Sequence, residues 1–395
     1  MPASASSLST LLPVTRAVPG PLSTVESIRL VQALRVVPDP RRRRGRRHGL
    51  QSVLLLALQA VMAGASSWVA IAQWAGTAPQ PLGVCGPPPS SATFRRVLAA
   101  VDITALEAAL TTWVTGRQSL ARAQQPTGTT AAEARTVLAV DGKTLRGSKD
   151  GDGQQTKLVC VYDHAHRLVL TQSAVAGGDE LAAFTTALAT LPDLAGVLVT
   201  ADALHCQRAH AQFLAARGGH YLFTVKGNQR LLRQALLRLP WAQAPGTRRR
   251  GVGHGRSESR SVKVIDLDGT PAQVLFPHAR RAIKVVRRRR VGARRPSVEI
   301  VYAVTSLDHR AADSRLLGHW LQGHWAIENS VHHVRDVTQR EDASRIRRGA
   351  GPQLMAALRN TATNIARLAG HSNIAAAQRT AAWSPTAITA ALHAA

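Results

Sequence analysis

Two apolar runs in this chain, TVLAV at 136–140 and GVLVTA at 196–201, each stop on an aspartate, Asp141 and Asp202. Short continuous apolar runs rich in β-branched residues are strands covered on both faces. A carboxylate at the end of such a strand stands where open α/β sheets gather their ligands. Two such acids therefore constrain fold and chemistry together.

The surrounding pattern supplies the rest of a sheet. KLVCVYDH (157–164) and RLVLTQSAV (167–175) follow the first run after turns containing Gly and Asp, as in an antiparallel meander. DELAAFTTALATL (179–191) and CQRAHAQFLAARG (206–218) have helical spacing, and HYLFTVKG (220–227) reads as a further buried strand. The order β-β-β-α-β-α-β is that of an α/β (α+β) ribonuclease H-like core. In that order the strands of the two runs lie side by side, so carboxylates far apart in sequence converge.

Charge narrows the partner. Fifty Lys and Arg against 23 Asp and Glu give a formal charge of +27, which points to a polyanion. A membrane surface is the other anionic candidate, but the most apolar stretch, 50–75, is interrupted by Gln51, Ser52, Gln59, Ser66, Ser67 and Gln73. A spanning helix needs about 20 apolar residues in a row, and this stretch reads as buried helices. The first twenty residues lack the charged start and apolar core of a secretory signal. The expectation is a cytoplasmic, nucleoid-associated protein. Cys85, Cys160 and Cys206 are too few and too scattered for a disulfide framework or a thiolate zinc site.

Along the chain, residues 1–24 read as a flexible leader, 25–122 as a helical N-terminal domain and 123–135 as a polar linker. The core is expected over 136–368, interrupted at about 240–305 by a basic β-rich insertion carrying Arg248–Arg250, Arg287–Arg290 and the runs SVKVIDL, AIKVV and VEIVYAVTSL. Helical pattern returns near Ser314 and carries Glu328, LMAALRNTATNIARLA packs behind it, and 369–395 is a tail.

Glu328 lies on a helix that would cross the same sheet edge as Asp141 and Asp202. Three hard oxygen donors suit Mg²⁺ or Mn²⁺ better than zinc. Two such ions, about 3.5–4 Å apart, would activate a nucleophile and stabilise the leaving 3′ oxygen of a phosphoryl transfer.

The strings VDGKTLRGS (140–148), TADALHCQ (200–207), YLFTVKGNQ (221–229), HGRSESR (254–260) and HWAIENSVHHVRDV (324–337), followed by ED at 341–342, resemble the DDE transposases of bacterial insertion sequences. The resemblance is to the IS-four-like superfamily, ISAs-one branch, with its H-repeat-associated proteins. DPRRRRGRRHGLQSVLLLALQAVMAGASS resembles that family's associated N-terminal domain. It implies that Asp141, Asp202 and Glu328 form the catalytic triad with Mg²⁺ or Mn²⁺. It further implies DNA cleavage at terminal inverted repeats, strand transfer into target DNA, and a homodimeric synaptic complex. The family's signature around the third acid falls on Leu321, His324, Glu328 and Arg335, of which His324 and Arg335 can bind phosphate and Leu321 cannot.

Other candidates carry two readings each. Lys143 and Arg146 follow the first acid in a turn and either reach a phosphate or are solvated. Lys226 and Asn228 end the last core strand, aimed at the same sheet edge, and are read as DNA contacts. His254, Arg256, Glu258 and Arg260 alternate on one strand face, either tracking phosphates or pairing among themselves. Trp320 and Trp325 either pack in the core or stack on an extruded base. Asp179 and Glu180 are weaker candidates. His332 and His333 have no second ligand set at metal spacing, and Arg41–Arg47 is either a nonspecific DNA patch or a solvated arm. Two further functions fit the same residues: an inactive or domesticated DNA-binding descendant, and a ribonuclease H-like structure-specific nuclease.

Overall fold

In the computed structural model, residues 22–77, 86–123, 132, 134–253, 255–292 and 295–384 are described. One nine-stranded sheet runs through the molecule in the order β3-β2-β1-β4-β5-β9-β8-β7-β6. Its first part comprises β1 (Val137–Thr144), β2 (Lys157–Asp163), β3 (Val169–Ala174), β4 (Leu198–Ala201) and β5 (His220–Val225). β1, β2 and β3 form the antiparallel meander, and β4 joins β1 in parallel.

The basic segment extends this sheet. β6 (Gly246–Gly253), β7 (Arg256–Asp266), β8 (Arg281–Val291) and β9 (Ser297–Thr305) form an antiparallel ribbon, and β9 pairs with β5. The runs SVKVIDL, AIKVV and VEIVYAVTSL fall on strands. β6, GTRRRGVG, has no apolar alternation and becomes a strand by pairing with β7.

Helices cover both faces. Ahead of the sheet lie α1 (Thr24–Arg35), α2 (Leu50–Met62), α3 (Trp68–Thr77), α4 (Ser91–Ala99) and α5 (Ile103–Ala123). α6 (Glu180–Ala189), α7 (Arg208–Ala216), α8 (Arg230–Leu237) and the short α9 (Pro271–Leu275) follow within it. α10 (Ser314–His324), α11 (Gly351–Leu368) and α12 (Ile374–Trp383) complete the chain, α12 lying in the segment read as a tail. Among the described residues no single helix is long and apolar enough to cross a membrane.

α11 joins the parts. It packs on α2, α4, α5 and β3, and its buried amides satisfy the sheet edge: Asn364 accepts from Val169 N at 2.9 Å and donates to Val169 O at 2.8 Å. β3 is the last strand on that side, so a side chain here performs the pairing a further strand would supply. The basic turn at 41–47 is partly tied down, with Arg41 and Arg46 held to Asp39 and to backbone carbonyls.

Candidate active site

Strand register brings the first two acids together. β1 and β4 pair up to Val140 and Ala201, so Asp141 and Asp202 are the next residue on each strand. Side chains alternate across a sheet, so Asp141 shares a face with Val137 and Ala139, and Asp202 with Leu198. α10 packs over that face. Asp141 does not end its strand, however. Pairing with β2 carries β1 on to Thr144, so the acid lies where β4 stops and β1 continues.

Glu328 approaches from the same side. The helix expected from Ser314 onward is regular only to His324, and the chain then widens into π-helical turns at Glu328–His332 and Val334–Thr338. Such wide turns recur at functional sites. Here they bring Glu328 to Asp141, and with it His332. Donor atoms of Asp141, Glu328 and His332 all lie within 4.8 Å of one another. His332 Nδ1 is 2.9 Å from Glu328 Oε2 and 3.7 Å from Asp141 Oδ2. The reading that His332 has no ligand partners is thus corrected. The missed signal was its position four residues after Glu328, one helical turn away.

Electrostatics mark the cluster. Burial raises the Asp141 pKa to about 6 against the pull of His332, with Asp202 and Glu328 adding to the rise. The hydrogen bond from His332 lowers that of Glu328. Burial pulls His332 down, but Cys160, Glu328 and Asp141 more than reverse it and lift it to about 9. Asp202 Oδ1 accepts from Leu204 N at 3.0 Å, which shapes the turn after β4.

Several neighbours differ from expectation. Lys143 is not in a turn. It is buried in β1, two residues past Asp141 on the same face, and its Nζ meets both carboxylate oxygens of Asp336 at 2.6 and 2.7 Å. Arg146 is exposed, 3.6 Å from Asp342. Arg335 is fully buried, with Nε and Nη2 on Glu341 and Arg359 closing on the same carboxylate at 3.1 Å. A guanidinium so enclosed does not reach a phosphate, and the Glu341 carboxylate is taken up by the two arginines. His324 is buried against Thr200 Oγ1 at 3.2 Å, and burial drives its pKa down to about 4. Leu321 packs with the apolar cluster under α10.

Lys226 is exposed at the end of β5. Asn228 donates to Ala203 O and Gln229 to Cys206 O, so this turn braces the loop after Asp202. Arg256 begins β7, whereas Glu258 on the same strand bonds Arg260 and Arg287, the mutual pairing foreseen as the second reading. His254 lies outside the described residues. Trp320 is buried, while Trp325 is 47% exposed with the Arg287 guanidinium 5.6 Å from its ring centroid. Asp179 caps α6.

Two glycines of VDGKTLRG allow close approach. A Cβ at Gly142 would collide with Glu180 Oε1, and one at Gly147 with the backbone oxygen of Ser344. Glu180 thus packs against Gly142, on the face of β1 opposite Asp141, and the loop after Arg340 seats on β1's exit.

Comparison with known proteins places the chain in a family. The family described as Transposase DDE domain matches residues 132–365, and one described as DDE_Tnp_1-associated matches 31–114. "Putative transposase YncI" of Escherichia coli O157:H7 is 30% identical over 86% of this chain and 87% of its own. "H repeat-associated putative transposase YhhI" of Escherichia coli strain K12 is 27% identical over 86% and 91%. A solved piggyBac transposase synaptic complex with hairpin DNA aligns at a TM-score of 0.39 and 11% identity, over 92% of this chain and 81% of that one. A likeness at that level decides nothing about the site. The chain belongs to the DDE transposase family, with H repeat-associated proteins among its relatives.

Proposed function

We propose that Asp141, Asp202 and Glu328 are the catalytic triad of an active transposase that cuts the ends of an insertion sequence and joins them to target DNA. The observation that carries this reading is the convergence of Asp141 and Glu328 on one point beside Asp202. The strand order 3-2-1-4-5 of the first part of the sheet supports a ribonuclease H-like core.

The residues fit a divalent cation. Burial, with neighbouring carboxylates, pushes Asp141 to about 6; a +2 charge relieves such a cluster, and its oxygens are the donors Mg²⁺ and Mn²⁺ take. When bound, such ions supply Lewis acidity toward the phosphate oxygens and the attacking hydroxyl. Asp141, Asp202 and Glu328 would hold them. His332 orients the Glu328 carboxylate through its 2.9 Å contact. Lys143, neutralised by Asp336, ties β1 to the π-helical turns and so fixes the distance between Asp141 and Glu328. Exposed Lys226 and Arg146 are left to meet DNA phosphates. The N-terminal helices would help grip the terminal repeats, and joining two ends implies a dimeric synaptic complex.

The test uses the full chain with a duplex carrying the flanking inverted repeats of its gene. Mg²⁺- or Mn²⁺-dependent nicking that leaves a 3′-OH at the repeat end is expected. Metal-independent cutting, or none on any repeat duplex, would contradict the proposal.

A further inference from the structure

Register places the arginine ribbon relative to the acids. The level of Asp141 and Asp202 continues across the sheet through the paired residues Thr224, Ala303, Ile283 and Val264. From there β7, β8 and β9 run on past the end of β5, whose last pair is Val225 with Tyr302. The ribbon therefore projects beyond the edge that holds the acids. Three to seven residues past their level, about 10–23 Å at ~3.3 Å per residue, come Arg248, Arg250, Arg288 and Arg290.

The two faces of this ribbon differ in charge. On the face shared with the acids, Arg260 and Arg287 are compensated by Glu258 and Glu299, and Arg281 by Asp266, which leaves Arg249, Arg256 and Arg289 as that face's uncompensated arginines among the described residues. On the opposite face, alternation places Arg248, Arg250, Arg288, Arg290, Lys263 and Lys284 with Ser257, Ser259 and Ser261, and no acid. The four arginines are exposed and have no acidic partner among the described residues. Val298 and Ile300 beside them are 54% and 51% exposed. A face this cationic repels a second copy of itself, and its chemistry suits a phosphate backbone. The sheet separates it from the acids, so the backbone it binds is not the one being cut.

We infer that this outer face binds a second DNA duplex, the target into which a cut end is joined. The inference rests on the proposed transposase activity, since joining requires two DNA segments at one protein. Arg248, Arg250, Arg288 and Arg290 would form four phosphate contacts, with the serines as further donors.

The test compares the full chain with R248E/R250E/R288E/R290E and with the milder R288Q/R290Q, each checked for an unchanged melting curve. Three readouts are taken: nicking of repeat-end duplex, joining of a pre-cut end to plasmid, and affinity for a random 30-bp duplex against salt. The fourfold variant is expected to nick within threefold of the parent and to join at least tenfold less. Its log–log salt slope should be shallower by about 3–4 (~0.9 per phosphate), with R288Q/R290Q intermediate. An unchanged slope, an equal fall in nicking and joining, or a shift in oligomeric state in place of DNA affinity would overturn the inference. If the parent itself fails to nick, the proposed activity fails, and the random-duplex slope still decides whether this face binds DNA.

Discussion

His332 Nδ1 stands 2.9 Å from Oε2 of Glu328, four residues earlier on a π-helical turn, and 3.7 Å from Oδ2 of Asp141. This contact holds an exposed carboxylate over a half-buried one. Replacing His332 with Ala frees Glu328 to swing away. Single-turnover nicking is expected to drop about 10–100-fold, while end binding by fluorescence anisotropy stays within twofold. Undiminished nicking would show that the imidazole orients nothing.

Lys143 and Asp336 act on the same geometry from the other side. Asp336→Asn leaves Lys143 buried without its counter-charge, so β1 and the π-helical turns lose their tie. A displacement near 1 Å at reacting groups costs on the order of 100-fold. The expected signature is a fall in the rate of chemistry with repeat-end affinity unchanged, read by pre-steady-state kinetics.

Glu341 and Glu328 are separated by stability. Glu341 is buried between Arg335 and Arg359, and those cations hold its pKa low against the cost of burial. Glu341→Gln uncouples the cluster and is expected to lower stability by about 3–5 kcal/mol. Glu328→Gln, whose side chain is 67% exposed, should change it by less than about 0.5 kcal/mol. Urea titrations of the two variants give this contrast directly.

Glu107 on α5 produces a pH effect. Burial raises its pKa to about 7 although Gln172 and Gln353 donate to it at 2.7 and 2.9 Å. The folded pKa lies above the ordinary 4.5, so the folded state holds the proton more tightly. Stability from this group is full below about 4.5 and falls as pH rises through about 7. Glu107→Gln should match the parent at pH 4.5 and exceed it by about 2 kcal/mol at pH 8. Equal melting temperatures at both pH values would contradict this.

Much of this was legible because strands report locally. Apolar runs closed by Asp141 and Asp202 located β1 and β4, and the alternation of 261–267 and 298–307 located parts of β7 and β9. What escaped depends on partners distant in sequence. GTRRRGVG becomes β6 only beside β7, DGKT continues β1 only because β2 pairs with it, and the ribbon joins the core through β5 and β9. Arg335 reads as a DNA contact until Glu341 folds back onto it. His332 stands one helical turn after Glu328 in the sequence, but its approach to Asp141 depends on the widened turns, which side-chain spacing does not announce.

Asp141, Asp202 and Glu328 are proposed to act as one unit on DNA. The decisive measurement is metal-dependent nicking of repeat-end duplex with Asp141→Asn, Asp202→Asn and Glu328→Gln, alongside their melting temperatures. Each variant is expected to fold and bind DNA as the parent does and to nick at least about 1,000-fold more slowly. A variant that retains cleavage within tenfold of the parent would remove that residue from the site.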